Sequence, residues 1–499
     1  MTSMDSSDPH LGATGDAATL VPKFLYRFRP LKRLLENGEL EKQEIYFAAP
    51  SQLNDPMEGF RDLFWKGDRI VWENLFKHYL RCLNWTFSMY AIAGESHPLI
   101  WNDVPIVGPM PSELNTEKLD ALQQGIFGDF LAEPAVIRLV DALDGRALPV
   151  RRDELRSYLR CLHPLALGTV WSRNELHRTA SARPDAERFL DSARAGLPSL
   201  EKMIEAMQPI SGEVDEQLLQ ELFSLFEFMS GQLGLAALLN PELGEYQPNK
   251  DFLFRAFADE FVDQLDRLVY PDWHVACFMS DCRNASLWGT YGDSHTGICL
   301  VFNTVVEGGR PFLPLTRVNG FGSSGYSRGR IEHEFHQVKY SDKHQPVDFF
   351  RSIGRLPEAV LDKHWHSNAE GARSVCASNY DDQWRADYWK GFYPGATTKL
   401  ADWAHEDEYR LLLTGMVLDF SDAQRRTATY DFRNLHGLIF GMKTPLEKRI
   451  EICRIVAEKC RANGRSDFKF YEAYYSAAGG RIDHRELNLL RLTASISTG

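Results

Sequence analysis

Strand-forming stretches occupy two separated parts of this chain, and a long block of helical pattern lies between them. In the first part, "KFLYRFR" (23–29) and "EIYFAA" (44–49) are aromatic and β-branched runs of strand length. "PLKRLLENGEL" joins them and reads as a short helix with Leu31, Leu34 and Leu35 on one face, ended by Gly38. From about 70 to about 270 the apolar residues recur at helical spacing, as in "DEQLLQELFSLFEFMSGQLGLAALL". Strands then resume at 273–279, 297–303, 335–341, 408–415, 435–441 and 468–475. Runs of strands broken by irregular helical inserts predict an α+β fold, with a mixed or antiparallel β core interrupted by a large helical insertion.

The segments follow from that pattern. Residues 1–20 read as a polar, acidic, disordered leader without the apolar stretch of a signal peptide. Residues 21–70 begin the core, 71–270 form the helical insertion, and 271–344 continue the core. Residues 345–396 make a second helical insertion rich in Trp and Tyr, and 397–499 complete the core. No apolar run approaches a membrane span, so no membrane partner is expected. The net charge of −13 argues against extended binding to phosphate backbones but leaves room for a local basic cleft. The 8 cysteines form no C-x-x-C pair, which disfavours a zinc knuckle or a disulfide frame and fits the reducing cytoplasm.

"SQLNDPMEGF" (51–60) reads as a turn opening a helix. Asp55, held extended by the following proline, caps it; Pro56 takes the first helical position; Glu58 reaches back to the cap. Asn54 has no task in that scheme.

Three constellations carry candidate chemistry. On "LYRFRP", Arg27 and Arg29 share one face of a strand, opposite Tyr26 and Phe28. They form either a solvated charged face or an arginine fork for an anion such as pyrophosphate. In "SDCRNASLWGTYGDSHTG", Trp288 and Tyr291 share a face of a helical turn, with Ser286 nearby and Gly292 and Gly297 allowing a sharp reversal. They are either a packed aromatic corner or a stacking surface for a flat ring. In "WAHEDEYRLLLTG", Glu406, Glu408 and Arg410 are two apart and share a strand face. They are either an exposed ion-paired face or a carboxylate site that contacts a ribose and steadies positive charge developing on the sugar.

Other signals are weaker. His333 and His336 in "HEFHQ" do not have the H-E-x-x-H arrangement, and no metal site is predicted. "GFGSSGYSRG" (320–329) reads as a mobile surface loop rather than a phosphate loop.

The ordered set "LYRFRPL…EIYFAAPSQLNDPMEG", "VACFMSDCRNASLWGTYGDSHTGICLVFN", "HQVKYSD" and "HEDEYRLLL" resembles the bacterial domain of unknown function 2971 family over about a third of the chain. More distantly, the set resembles the ADP-ribosyltransferase-like group. That second resemblance implies NAD as ligand, with Arg27, Tyr26, Asn54, Ser286, Trp288, Tyr291 and Arg410 around it. It further implies Glu408 acting on the nicotinamide ribose and Glu406 positioning or activating the acceptor. The middle motif here is "SLW" and departs from the Ser-Thr-Ser of the arginine-modifying enzymes. The resemblance implies transfer of ADP-ribose to an unnamed macromolecule or cleavage of NAD, in a bacterial toxin or phage-defence effector. The rival reading is a non-enzymatic sensor that binds a nucleotide or a protein in the same cleft. A nuclease is a third reading, and it lacks a cluster of metal-binding carboxylates.

Overall fold

The computed structural model describes residues 22–107, 117–179, 184–213, 216–240, 246–323, 325–415 and 418–490. The leader expected at 1–20 lies outside them. The fold is α+β, 50% helical, with one large curled mixed sheet. Two compact units divide the chain: one comprises Met1–Phe60, Asp272–Gln345 and Lys390–Gly499, the other Arg61–Pro271 and Pro346–Trp389.

The first unit holds the large sheet. From edge to edge its strands are Arg481–Glu486, Lys469–Ser476, Leu435–Phe440, Ile298–Asn303, Phe24–Arg29, Trp273–Met279, Glu408–Thr414, Gly325–Gln337, Arg310–Gly322, Thr427–Tyr430 and Glu44–Tyr46. Val305–Glu307 joins Arg310–Gly322 off that path. The Leu435–Phe440 and Lys469–Ser476 pair is parallel, and the other neighbours are antiparallel. Helix Leu446–Ala462 crosses between the parallel pair, as parallel strands require. Ala48, just past the edge strand, bridges Val275 in the middle of the sheet, so the sheet curls back on itself. That curl brings Tyr46 beside Arg27.

Phe24–Arg29 is a central strand buried on both faces. Leu25 belongs to the main core with Phe278, Phe302 and Leu411, while Phe28 packs with Met279, Trp288 and Cys299 on the other face. The solvated charged face considered for Arg27 and Arg29 is therefore excluded: Arg27 is 4% exposed.

The second unit is helical, with long helices at Arg69–Ala93, Arg152–Thr179 and Glu216–Leu239 and a small sheet of Pro346–Asp348, Asp62–Trp65 and Val150–Arg151. Its core is aromatic, with Trp65, Trp72 and Trp365 among its largest buried side chains. Among the described residues one helix, Glu216–Leu239, is long and apolar enough to cross a membrane by length and composition, with a mean hydropathy of 1.5. This corrects the expectation that no run approaches that length. Ser230, Gly231 and Gln232 in a row, and Gly234 after them, interrupt the apolar run without breaking the helix. Leu219 and Phe223 face inward, while Phe228, Leu233 and Leu235 are exposed.

Two local expectations are corrected. No helix starts at Pro56: Pro56–Gly59 is a turn, and the next helix starts at Arg69. Asp55 still organises the turn by accepting from Met57 N–H at 2.9 Å, but Glu58 leaves the cap for an ionic cluster. The segment 320–329, expected as a loop, is the end of a long hairpin formed by Arg310–Gly322 and Gly325–Gln337. Cross-strand pairing overrides its glycine and serine content.

Candidate active site

A cavity of about 260 Å³ opens in the first unit. Arg27 and Arg29 line it from the strand Phe24–Arg29, together with Arg33, and Glu408 lines it from the strand on the far side of Trp273–Met279, together with Glu58 and Lys399. Tyr46, Asn54, Cys277 and Tyr291 complete the parts of the wall that matter for chemistry. The volume lies just under the ~300–1,000 Å³ of pockets that enclose a whole small molecule, so a larger ligand would enter only in part.

The carboxylate end is a closed ionic network. Glu408 opens the strand Glu408–Thr414, and its N–H is held by the Tyr340 hydroxyl at 2.9 Å. Arg410, two residues on and on the same face, donates to Glu408 from Nε at 2.9 Å and Nη2 at 3.1 Å. It also donates to Glu58 from Nη1 at 2.9 Å and Nη2 at 2.6 Å, and to the Ala396 carbonyl at 2.8 Å. These five hydrogen bonds use all five N–H groups of the guanidinium. Lys399 Nζ reaches Glu406 at 2.6 Å, Glu408 at 3.2 Å and Glu58 at 3.5 Å.

Those contacts set the protonation states. Burial pushes the Glu408 carboxyl up, but the charges of Arg410 and Lys399, with hydrogen bonds from Arg410 and the Cys277 thiol, outweigh it and bring it to about 2. Burial dominates at Glu58, which is raised despite Arg410 and Lys399. At Lys399 burial is overcome by Glu408 and Glu406, and the ammonium is held above its usual range. Glu408 is therefore an ionised carboxylate suited to stabilising positive charge, not to donating a proton.

The arginine end differs. Arg27 Nη2 donates to the Tyr46 carbonyl at 3.1 Å, and the guanidinium lies 5.1 Å from the Phe278 ring. Its buried Nη1 has no hydrogen-bond partner. Burial and then the neighbouring Arg29 push its pKa well down, the charge of Glu39 acts against them, and among the described residues no carboxylate forms an ion pair with it. Arg29 does have a partner, Glu39, at 2.9 Å. Glu39 begins the helix Glu39–Lys42 after Gly38, whose φ of 73° turns the chain there. Arg33 is exposed.

The remaining candidates scatter. Tyr291 lines the cavity and donates from its hydroxyl to Glu406 at 2.6 Å. Asn54 lines the cavity from the turn beside Glu58. Tyr26 packs on the opposite face of its strand, against the cluster around Phe28. Ser286 is exposed beside the Asn284 cap and does not line the cavity. Trp288 is 1% exposed, donates its indole N–H to the Cys282 carbonyl at 2.7 Å and meets Phe28 edge-on. The packed-corner reading therefore holds for Trp288, and it offers no face to a ligand. Arg410 is likewise no ligand contact, since every donor is used.

The shared strand face for Glu406 and Glu408 is corrected as well. Glu406 ends a 3-10 turn, Asp407 has φ 41°, and only Glu408 is in the strand. The two carboxylates meet through Lys399, and Glu406 stays outside the cavity wall. Gly292 and Gly297 serve close approach rather than a special φ: a Cβ would lie 2.7 Å from the Trp288 carbonyl and 2.6 Å from that of Arg29.

Sequence reasoning missed Lys399, Cys277 and the ionic role of Glu58. Lys399 comes from a short bridge strand and Cys277 from mid-strand, and neither sits in a charged motif. Comparisons with family models, with curated proteins and with solved structures find no match.

Proposed function

We propose that the first unit is an ADP-ribosyltransferase-like domain that binds NAD in this cavity and transfers ADP-ribose to a macromolecule or to water. The observation that carries the reading is the buried Arg27 guanidinium, which lines the cavity without a carboxylate partner while an ionised Glu408 lines the other end. A buried charge is costly unless paired, and a pyrophosphate would pair this one. Arg29 and Arg33 add positive potential on the same side. NAD joins an anionic pyrophosphate to a cationic nicotinamide riboside, so one ligand carries a group for each kind of wall.

Glu408 has four lone-pair positions. Arg410 takes two, Lys399 takes one, and the Cys277 thiol faces the carboxylate at the cavity wall. A thiol is a weak donor, and a ribose hydroxyl entering there would displace it. The nicotinamide–ribose bond then breaks, nicotinamide leaves with the bonding electrons, and Glu408 stabilises the sugar cation. An incoming nucleophile bonds to the anomeric carbon and loses its proton to solvent. Glu406 is tied to Lys399 and Tyr291, so its part is to hold Lys399, not to take that proton. Tyr46 and Tyr291, rather than Trp288, supply aromatic surface. The resemblance to the 2971 family is the ground for placing this activity in a bacterial toxin or phage-defence effector.

The fully engaged state of Glu408 favours one second reading, a module that binds the nucleotide without cleaving it. Nicotinamide release and thermal stabilisation by NAD separate the two. Release by wild type, lost in Glu408→Gln and in Arg27→Met, is expected. Stabilisation without release would favour the binding module. Neither binding nor release would sink both.

A further inference from the structure

The long hairpin of the first unit carries a surface unlike the rest of this acidic chain. Between Arg317 and Arg330 the sequence reads "RVNGFGSSGYSRGR", with three arginines, two aromatic residues and no acid. Phe321 pairs across the strands with Tyr326, and their ring centroids are 5.1 Å apart. Phe321 is 72% exposed. Tyr326, Arg328 and Arg330 alternate along Gly325–Gln337 and therefore line one face, and all three are exposed. Arg328 donates to the Thr427 carbonyl at 2.8 Å. Among the described residues neither Arg328 nor Arg330 forms an ion pair. Arg425 lies 4.5 Å from the Tyr326 ring and is paired with Asp419 and Asp422, so its charge is already met. Glu332 ends the cationic row.

We propose that this hairpin end binds single-stranded nucleic acid, its bases stacking on Phe321 and Tyr326 and its phosphates meeting Arg328 and Arg330. Two chemistries have to be met at once. The guanidinium groups without an ion pair call for an anion, and the exposed Phe321 ring, with the part of Tyr326 that Arg425 leaves open, calls for a flat apolar partner. An acidic protein segment supplies the first but not the second. A duplex hides the base faces that a single strand presents. The net charge of −13 would repel a polyanion elsewhere and confine it to this face. The inference does not depend on NAD chemistry in the cavity.

Fluorescence anisotropy of the full chain with labelled oligouridylate and oligothymidylate tests it, with melting temperature as the folding control. Two phosphate contacts on a single strand predict a log–log salt slope of about −1.4. Arg328→Gln with Arg330→Gln should flatten that slope. Phe321→Ala should weaken binding about tenfold without changing it. Preference for oligouridylate would assign RNA, and equal binding would assign either strand type. Equal competition by polyglutamate at matched charge, no binding at low salt, or unchanged affinity in these folded variants would overturn the proposal.

Discussion

The two ends of the cavity hold charge in opposite ways. At the carboxylate end Glu58 and Glu408, with Glu406 outside the cavity wall, share two cations, Lys399 and Arg410, and every donor is used. At the arginine end one guanidinium is paired, one is exposed, and Arg27 is buried with a nitrogen unmet. The saturated end contributes to stability, because removing one member leaves its partners buried and unpaired. The unsaturated end costs stability in the free protein and recovers it only when an anion arrives. The contrast separates residues that hold the site together from those that await a ligand.

The largest test of that contrast is Arg410→Met. It strands Glu58 and Glu408 beside Lys399 alone and should cost about 3–5 kcal/mol, read as a large fall in melting temperature. A small effect would mean the network is not rigid.

Acid should act next. Glu408 has its folded pKa depressed to about 2, so its contribution is present above its unfolded value of about 4.5 and is lost as pH falls through about 2. That contribution is on the order of 3 kcal/mol. Glu58 is raised, so its protonated form favours folding and its contribution runs the other way, fading as pH rises through its folded value. Melting temperature against pH should therefore fall on the acid side, and Glu408→Gln should flatten that limb.

A smaller loss is expected for Tyr291→Phe. It removes one hydrogen bond to Glu406 and leaves the Lys399 contact, for about 1 kcal/mol by thermal denaturation. A loss several-fold larger would make Tyr291 a member of the ionic network rather than its rim.

Arg27→Met should change stability least, staying within about 1 kcal/mol of wild type, because it removes an unpaired buried charge. The same variant should lose any rise in melting temperature that inorganic pyrophosphate gives the wild type. A fold that collapses in this variant would place Arg27 with the structural charges and erase the contrast.

Much of the architecture was legible in the chain. Period-two aromatic runs and period-3.6 helices are local signals, and strands such as Trp273–Met279 and Lys469–Ser476 follow from them. The hairpin at 310–337 was read only in part, because its glycines and serines carry loop propensity that pairing overrides. In the site, Arg27, Asn54, Tyr291 and Glu408 are visible in short motifs and do line one cavity. Trp288 stayed open between a packed corner and a stacking surface, because spacing tells which residues share a face, not which face is buried.

The sequence by itself determined the element types, the turn at Asp55–Pro56 and the placement of charge at two-residue spacing. The tertiary structure alone decided which charges meet. Glu58 and Arg410 are separated by 352 positions and come together only when the strands assemble. Lys399 reaches both Glu406 and Glu408 across Asp407, which stands between them in a left-handed conformation. Pairing of buried charges depends on distance and desolvation in three dimensions, and no local pattern encodes either.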